Sequence, residues 1–215
     1  MPTVMRELFD DAGATQFDDG AWLLRGFALE REAALLAAIE AVAAQAPFRH
    51  METRRELRMS VAMTNCGEVG WVSDRRGYRY APRDPLGGGP WPVMPEAFAA
   101  LAGDAARAAG FEAFAPDACL VNRYVPGTRL SLHQDRDERD FDAPIVSVSL
   151  GLPATFLFGG LARSDHTRRI ALRHGDVVVW GGASRLFHHG VLALADGEHP
   201  VMGARRINLT FRKAL

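Results

Sequence analysis

Short runs in which apolar and polar residues alternate fill the chain after residue 116. The runs are ACLVNRY, PIVSVSLG, ATFLFGG, DVVVWGG, RLFHHGVLAL and RRINLTFRK, and Gly, Pro or Asp lies between them. Valine, isoleucine and aromatic residues favour strands, whereas glycine and proline favour turns. Several short strands without intervening helices are typical of an antiparallel sandwich or jelly roll. The back half of the chain is therefore predicted to be a β-sandwich.

The front half of the chain has a helical pattern. AWLLRGF (21–27) predicts a short strand, and the Ala-, Leu- and Glu-rich residues 28–46 predict a helix that Pro47 ends. Residues 96–110 predict a second helix, with Gly110 as a C-terminal cap residue.

Between the two predicted helices, residues 73–95 are rich in Pro, Gly, Arg and aromatic side chains. This composition favours a long loop, and a loop of this length commonly serves as a lid or a binding surface. No polar linker follows it. A single domain is therefore predicted, in which a helical and loop-rich part (about 1–115) is laid over a β-sandwich core (about 116–215).

Composition limits the classes of function. The 215 residues are 48% hydrophobic and 24% charged, which suits one large domain with a core of its own. The net charge of −1 gives no overall basic field, so an anionic partner would have to be bound by a local patch. Two cysteines support neither a disulfide framework nor a cysteine-rich zinc site. The segment MPTVMRELFDDAG lacks a signal-peptide core and no run approaches the ~20 apolar residues of a membrane span, which predicts a cytoplasmic protein without membrane association.

A candidate metal site begins in LSLHQDRDERD (130–140). His133 and Asp135 are two residues apart, so in an extended segment both side chains point to the same side. A second apolar run carries His188 and His189, whose ring nitrogens need partners. Two imidazoles and one carboxylate form the facial triad of non-haem Fe(II) oxygenases. The alternative is a solvated loop with hydrogen-bonded histidines.

The C-terminal run RRINLTFRK suggests a co-substrate site. Alternation separates an apolar face from a polar one, and Arg206 and Arg212 lie at the two ends of the polar face, roughly 20 Å apart along a strand. Two inward-pointing arginines could clamp a short dicarboxylate, with Asn208 and Thr210 adding hydrogen bonds. The alternative is a surface strand whose polar face meets water. The apolar face consists of Ile207, Leu209 and Phe211.

These motifs together resemble the AlkB family of Fe(II)- and 2-oxoglutarate-dependent dioxygenases. The resemblance covers PDACLVNRYVPGTRLSLHQDRDERD, PIVSVSLGLPATFLFGG, HGDVVVWGGASRLFHHGV and RRINLTFRK, and in the front half MSVAMTNCG, GWVSDRRGYRY and PWPVMP. It implies a mainly β fold with helices, a double-stranded β-helix of jelly-roll type. Residues 1–115 would then be an N-terminal extension and nucleotide-recognition lid, and residues 116–215 the dioxygenase core.

The resemblance also implies a reaction. It is the oxidative removal of methyl groups from 1-methyladenine and 3-methylcytosine, with release of formaldehyde. Fe(II) is the cofactor, and O2 and 2-oxoglutarate are co-substrates, the latter converted to succinate and CO2. The implied partner is methylated single- or double-stranded DNA, or RNA, and the protein is expected to act as a monomer.

Three sets of residues match functional positions of the family. The iron ligands, which form the catalytic centre, match His133, Asp135 and His189. The 2-oxoglutarate contacts match Asn122, Tyr124, Arg206, Asn208 and Arg212. The nucleotide contacts match Met63, Trp71, Tyr78, Ser131, Asp137 and Arg163.

Individual roles follow from the matches. His189 is preferred over His188 because the family ligand immediately precedes a glycine, here Gly190. Trp71 would stack on the flipped base, and the carboxylate of Asp137 would favour cationic methylated bases over neutral ones. Four arginines are candidates for a few phosphate contacts: Arg75, Arg76, Arg79 and Arg163.

The chain departs from the family in two places. His188 replaces a tyrosine, and HMETRRELR (50–58) is more charged than the glycine-containing turn expected there. Three other functions are alternatives. An oxygenase of the same fold could act on a protein or a small molecule, and a jelly-roll module could bind a ligand without turnover. A zinc hydrolase is less favoured, because it would leave the Arg206/Arg212 row unexplained.

Overall fold

The computed structural model of the chain describes residues 13–215. The prediction that the N-terminal segment is not a signal peptide therefore falls almost wholly outside the described residues. Within 13–215, no helix is both long enough and apolar enough to cross a bilayer.

Two α-helices and fourteen β-strands make up the described part of the chain. The helices are α1 (Glu32–Gln45) and α2 (Glu96–Ala108), and short 3-10 helices span Leu29–Arg31 and Gly182–Ser184. The strands are β1 (Ala14–Asp18), β2 (Ala21–Leu24), β3 (Arg49–Glu52), β4 (Arg58–Gly67), β5 (Gly70–Asp74), β6 (Gly77–Ala81), β7 (Ala118–Tyr124), β8 (Leu130–His133), β9 (Ile145–Gly151), β10 (Ala154–Phe158), β11 (Arg168–Leu172), β12 (Val177–Trp180), β13 (His189–Val191) and β14 (Arg206–Arg212).

The strands form an antiparallel sandwich, as the alternation predicts. An eight-stranded sheet has the order β1-β2-β12-β9-β14-β7-β4-β3, and a four-stranded sheet has the order β11-β10-β13-β8. Side chains from both sheets, among them Leu120, Trp180 and Phe156, share one apolar cluster between the layers. On its outer face the large sheet packs against both helices through a second cluster that includes Leu35 and Phe98.

Strand β14 lies in the middle of the large sheet, between β9 and β7. Ile207, Leu209 and Phe211 pack into the cluster under the helices, as the alternation predicts. The polar face of the strand is also buried, from Arg206 to Arg212. The alternative of a surface strand that meets water is therefore wrong, and the polar row lies inside the sandwich.

The prediction of one continuous loop over 73–95 is wrong in its first part. Strands β5 and β6 form a hairpin, and its turn is built on Asp74, whose Oδ1 accepts a hydrogen bond from the Arg76 backbone N–H at 2.8 Å. Gly77 follows with φ +97°, a conformation that favours glycine. Each strand has only five residues, so the apolar and polar alternation is too short to stand out in a segment rich in Gly, Pro and Arg. Residues 82–95 are irregular apart from a single β-bridge, as predicted.

The prediction of a long strand over RLFHHGVLAL (185–194) is also wrong, because only β13 pairs. Gly190 lies so close to β8 that a Cβ atom there would be 2.7 Å from the Leu130 carbonyl oxygen. A glycine is therefore required directly after His189. This close approach brings β13 onto β8, where the candidate site forms.

Candidate metal and co-substrate site

Strand register brings the two candidate histidines together. His189 on β13 is the direct cross-strand partner of His133 on β8, and their ring centroids are 4.4 Å apart. Strand β8 ends at His133, and the irregular segment that follows places the Asp135 carboxylate beside both rings. His133 Nε2 lies 3.7 Å from Asp135 Oδ1, and His189 Nε2 lies 3.6 Å from Asp135 Oδ2.

Both imidazoles present the nitrogen that a metal needs. Nδ1 of His133 lies 2.9 Å from the Ser131 carbonyl oxygen, and Nδ1 of His189 lies 3.0 Å from the Phe187 carbonyl oxygen. A carbonyl only accepts, so each Nδ1 carries the proton and each Nε2 lone pair is free. One donor atom from each of the three side chains lies within 4.8 Å of the others. His188 is outside this group, and its Nδ1 lies 3.3 Å from the Gly160 carbonyl oxygen.

The charge states also suit a cation. Burial, with the nearby His189 ring, lowers the pKa of His133 to about 4, so the imidazole is neutral at neutral pH. Burial alone would raise the pKa of Asp135. The guanidinium of Arg212 and the two histidines outweigh it, hold that pKa well below its ordinary range and keep the carboxylate ionised. Two imidazoles and one carboxylate are the donor set of a facial triad.

One cavity of about 780 Å³ contains the whole candidate site. Strands of both sheets and the hairpin β5–β6 contribute to its wall. All fourteen residues that matched functional positions of the family line this cavity: His133, Asp135, His189, Asn122, Tyr124, Arg206, Asn208, Arg212, Met63, Trp71, Tyr78, Ser131, Asp137 and Arg163.

Arg206 is a buried cation that has unused hydrogen-bond donors. Nη2 donates to Ser149 Oγ at 2.9 Å, whereas within residues 13–215 its Nε and Nη1 are buried without a hydrogen-bond partner. Burial lowers the pKa of Arg206. The guanidinium lies 4.9 Å from the ring centroid of Tyr124, its cross-strand neighbour, and burial raises the pKa of that phenol. Two free N–H groups on a buried guanidinium fit a carboxylate.

Amide side chains occupy the middle of the row. Asn122 Nδ2 donates to Asn208 Oδ1 at 3.2 Å, and Thr210 Oγ1 donates to the same oxygen at 3.0 Å. Asn208 Nδ2 donates to Ser147 Oγ at 2.8 Å. These bonds fix the rotamers between the Arg206 end and the metal end of the cavity.

Arg212 differs from Arg206, contrary to the symmetrical clamp that the alternation suggests. Its Nη2 and Nε donate to Asp135 Oδ2 at 2.8 and 3.0 Å, and Nε lies 3.3 Å from Glu138 Oε1. Arg212 therefore already has carboxylate partners in the protein. At the Arg206 end, by contrast, two buried nitrogens, Nε and Nη1, are left for a distal carboxylate.

The hairpin β5–β6 forms the outer wall of the cavity. Trp71 and Tyr78 are stacked, with ring centroids 5.5 Å apart and an interplanar angle of 16°. Trp71 Nε1 donates to Asp137 Oδ2 at 2.9 Å. An aromatic surface and a carboxylate that matched the nucleotide contacts therefore lie side by side at the mouth.

The candidate phosphate-binding arginines are not equally available. Arg79 makes two hydrogen bonds to Asp74, Arg75 pairs with Glu56 at 3.1 Å, and Arg163 donates to the Leu132 carbonyl oxygen at 2.6 Å. Arg76 is exposed at the hairpin turn. Arg79 is thus the weakest candidate of the four.

A buried network behind the site involves residues that the sequence did not single out. Glu138 lies between Arg212 and Arg185, at 3.3 Å from each, and its Oε1 accepts a hydrogen bond from the Tyr80 hydroxyl at 2.6 Å. Arg185 also donates to the Asp135 carbonyl oxygen at 2.8 Å. The density of acids in LSLHQDRDERD was a signal, but it did not distinguish the buried Glu138 from its exposed neighbours.

Comparisons with known proteins agree with this geometry. The model of the family described as "2OG-Fe(II) oxygenase superfamily" matches residues 20–212, which defines the class of protein. Enzymes of this class use Fe(II), 2-oxoglutarate and O2, and the free donors of the triad and of Arg206 fit an iron ion and a dicarboxylate.

Curated relatives and a solved structure define the family within this class. The chain is 58% identical over 212 residues, 98% of each chain, to "Alpha-ketoglutarate-dependent dioxygenase AlkB" of Salmonella typhimurium. It is 38% identical over 108 residues, 49% of this chain and 28% of the relative, to "Nucleic acid dioxygenase ALKBH1" of Mus musculus. The solved structure of OsALKBH1 superposes with a TM-score of 0.82 at 29% identity and covers 94% of this chain and 100% of that chain. The chain belongs to the AlkB family of 2-oxoglutarate- and Fe(II)-dependent dioxygenases, and the predicted double-stranded β-helix fold is confirmed.

Proposed function

We propose that this protein is an Fe(II)- and 2-oxoglutarate-dependent dioxygenase that removes methyl groups from alkylated bases in nucleic acid, with 1-methyladenine and 3-methylcytosine in DNA or RNA as its substrates. One observation carries the proposal. A single cavity joins a three-donor metal site, a buried arginine with free donors, and the aromatic hairpin with its carboxylate. The name of the mouse relative, "Nucleic acid dioxygenase ALKBH1", supports a nucleic acid substrate.

His133, Asp135 and His189 would hold Fe(II). When bound, the metal with 2-oxoglutarate and O2 supplies the oxidising power for hydroxylation of the methyl carbon, after which formaldehyde is lost. The protein would contribute position and charge. Arg206 would bind the distal carboxylate, because its Nε and Nη1 are buried and without hydrogen-bond partners within the described residues. Asn122, Tyr124, Asn208 and Arg212 complete the co-substrate wall.

At the mouth, Trp71 would stack on the flipped base, and Met63, Tyr78, Ser131 and Arg163 would line the space around it. The carboxylate of Asp137 faces this space and would favour a cationic base. The cavity is lined by residues of both the N-terminal part and the sandwich core, which supports a single domain. The proposal includes action as a monomer on single- or double-stranded DNA.

The proposed function is tested by formaldehyde release from an oligonucleotide that carries 1-methyladenine, with and without 2-oxoglutarate. Release that depends on both Fe(II) and 2-oxoglutarate is expected. A parallel assay with a neutral methylated base and the Asp137→Asn variant should show about a tenfold loss of preference for the cationic base. An unchanged preference would remove Asp137 from this role.

The rival functions give different results in the same assay. Succinate formation with a peptide or small-molecule substrate, and none with oligonucleotides, would indicate an oxygenase with another substrate. Absence of Fe(II) uptake and of succinate formation would favour a binding module without turnover. Zinc-dependent hydrolysis in the absence of 2-oxoglutarate would favour a hydrolase.

A further inference from the structure

The hairpin β5–β6 depends on side chains for its position. It forms a separate two-stranded sheet, and among the described strands it has no ladder to either large sheet. An isolated hairpin is marginally stable in water, so contacts with the rest of the fold must hold it. Two of its aromatic residues provide such contacts at the metal side. Trp71 and Tyr80 are direct cross-strand partners, so their side chains share one face of the hairpin.

The two aromatic residues are bound to neighbouring acids of one loop. Trp71 Nε1 donates to Asp137, and the Tyr80 hydroxyl donates to Glu138 at 2.6 Å. Burial raises the pKa of Tyr80 well above its ordinary value, which keeps the phenol protonated as a donor. The hairpin is thus attached to the loop that directly follows the candidate metal ligand Asp135.

Glu138 continues the connection toward the metal. Its side chain is 1% exposed, and Oε1 that accepts from Tyr80 also lies 3.3 Å from Arg212 Nε. Arg212 in turn donates twice to Oδ2 of Asp135. The path Tyr80–Glu138–Arg212–Asp135 is therefore an unbroken series of hydrogen bonds and ion pairs through a buried region, where such interactions are strong.

We propose that Tyr80 is a positioning residue that couples the hairpin to the metal centre through Glu138 and Arg212. Correct placement of Asp135 favours the hairpin position in which Trp71 faces the substrate, and a bound substrate favours the same placement of Asp135. This inference rests on the proposed function of the site. Coupling of this kind is reciprocal, so it can be measured from either ligand.

The test compares wild type with Tyr80→Phe, which keeps the ring and removes the hydroxyl. The affinity for a 1-methyladenine oligonucleotide is measured by fluorescence anisotropy without oxygen, with and without Mn(II) plus 2-oxoglutarate. Mn(II) accepts nitrogen and oxygen ligands and replaces Fe(II) here. Wild type should bind about fivefold or more tightly with Mn(II) and 2-oxoglutarate, and the variant should lose this gain to within about twofold.

Ser73→Ala is the matched control. Ser73 Oγ donates to the Glu52 carbonyl oxygen at 2.5 Å, so this variant also removes one hydroxyl that attaches the hairpin, but on a path that does not lead to Asp135. It should retain the wild-type gain. An equal loss in both variants would mean that any loosening of the hairpin has this effect, and would overturn the role of Tyr80. An unchanged gain in Tyr80→Phe would overturn it as well.

A second measurement does not use the oligonucleotide. Addition of Mn(II) and 2-oxoglutarate should slow amide hydrogen exchange over residues 70–81 in wild type and in Ser73→Ala, but not in Tyr80→Phe. Equal slowing in all three proteins would contradict the coupling even if the wild type releases formaldehyde. Coupled exchange in a protein that never releases formaldehyde would instead contradict the proposed function alone.

Discussion

Arg206 and Arg212 occupy the two ends of one row on one strand, yet they are in opposite states. Both side chains are almost fully buried, with 1% and 6% of each residue exposed. Arg212 has two carboxylates of the protein beside it, Asp135 and Glu138. Arg206 donates to a serine hydroxyl, and two further nitrogens have no hydrogen-bond partner within residues 13–215. One end of the row has its anionic partners in the folded chain, whereas the other has none among the described residues.

The contrast shows that two arginines inside one β-sandwich can have different roles, one in binding a ligand and one in holding a protein side chain. A buried charge without a counter-ion costs free energy, so the Arg206 end lowers stability until a carboxylate binds. The Arg212 end uses the same residue type to hold Asp135 ionised and oriented. Arg206 is therefore the candidate for co-substrate recognition, whereas Arg212 orients the candidate metal ligand Asp135. The sequence pattern presents the two arginines as equivalent.

The largest effect is expected from Arg212→Met, which removes the cation between two buried carboxylates. Loss of one partner of a buried ion pair commonly costs about 3–5 kcal/mol of unfolding free energy. Urea denaturation of the metal-free protein measures this loss. Arg206→Met is the matched control, since it makes the same substitution on the same strand. A smaller loss for Arg212→Met than for Arg206→Met would reverse the comparison.

Arg206→Met should have the second largest effect, and it should act on binding. Without the guanidinium the distal carboxylate of 2-oxoglutarate loses charge-assisted hydrogen bonds, and we expect the KM for 2-oxoglutarate to rise by roughly 100-fold. The free energy of unfolding without ligand should stay within about 1 kcal/mol of wild type, because an unsatisfied buried cation is removed. Steady-state kinetics and urea denaturation check the two parts. A large stability loss with an unchanged KM would show that Arg206 is structural.

Local sequence patterns are sufficient to predict the two faces of β14, but they do not predict which side chains contact its arginines. Alternation over residues 206–212 predicted both faces of β14, because side chains in a strand alternate regardless of the rest of the fold. The His133/Asp135 pair was likewise a local signal. The pairing of Arg212 with Asp135 and Glu138 joins segments more than seventy residues apart in sequence, and only the assembled sheet brings them together.

Other elements escaped prediction for a different reason. The strand β3 (RHME) consists largely of charged and polar residues, and β5 and β6 have only five residues each, so a local pattern is too short to define them without their pairing partners. In the charged turn 53–57, Glu56 adopts φ +60°, a conformation that favours glycine. In the segment where the resemblance implies a glycine-containing turn, this chain therefore places a glutamate in a backbone conformation that favours glycine.

The pH dependence of stability should also distinguish the two arginines, by a smaller effect than the two substitutions have at neutral pH. The folded pKa of Asp135 lies below its ordinary value of 3.8, so its contribution to stability is complete above that pH and is lost as the pH falls toward the folded pKa. In metal-free protein, the melting temperature should therefore fall as the pH is lowered below about 4, with a shallower slope in Arg212→Met and a wild-type slope in Arg206→Met. Equal slopes in all three proteins would mean that Arg212 does not set this pKa.

The smallest effect is expected from Ser149→Ala at the Arg206 end. Ser149 Oγ accepts the hydrogen bond from Arg206 Nη2 at 2.9 Å and so fixes the direction of Nε and Nη1. Its loss should raise the KM for 2-oxoglutarate about threefold, because the guanidinium must be ordered when the ligand binds.

Ser147→Ala is the control for this prediction, since Asn208 Nδ2 keeps a second acceptor, the Val148 carbonyl oxygen at 3.0 Å. It should change the KM for 2-oxoglutarate less than Ser149→Ala does. If Ser149→Ala instead matched Arg206→Met, the serine would bind the co-substrate itself. If both serine variants had the same KM for 2-oxoglutarate, the hydrogen bond from Ser149 would not be what orients the Arg206 guanidinium. The difference between the Arg206 and Arg212 ends would then not depend on Ser149.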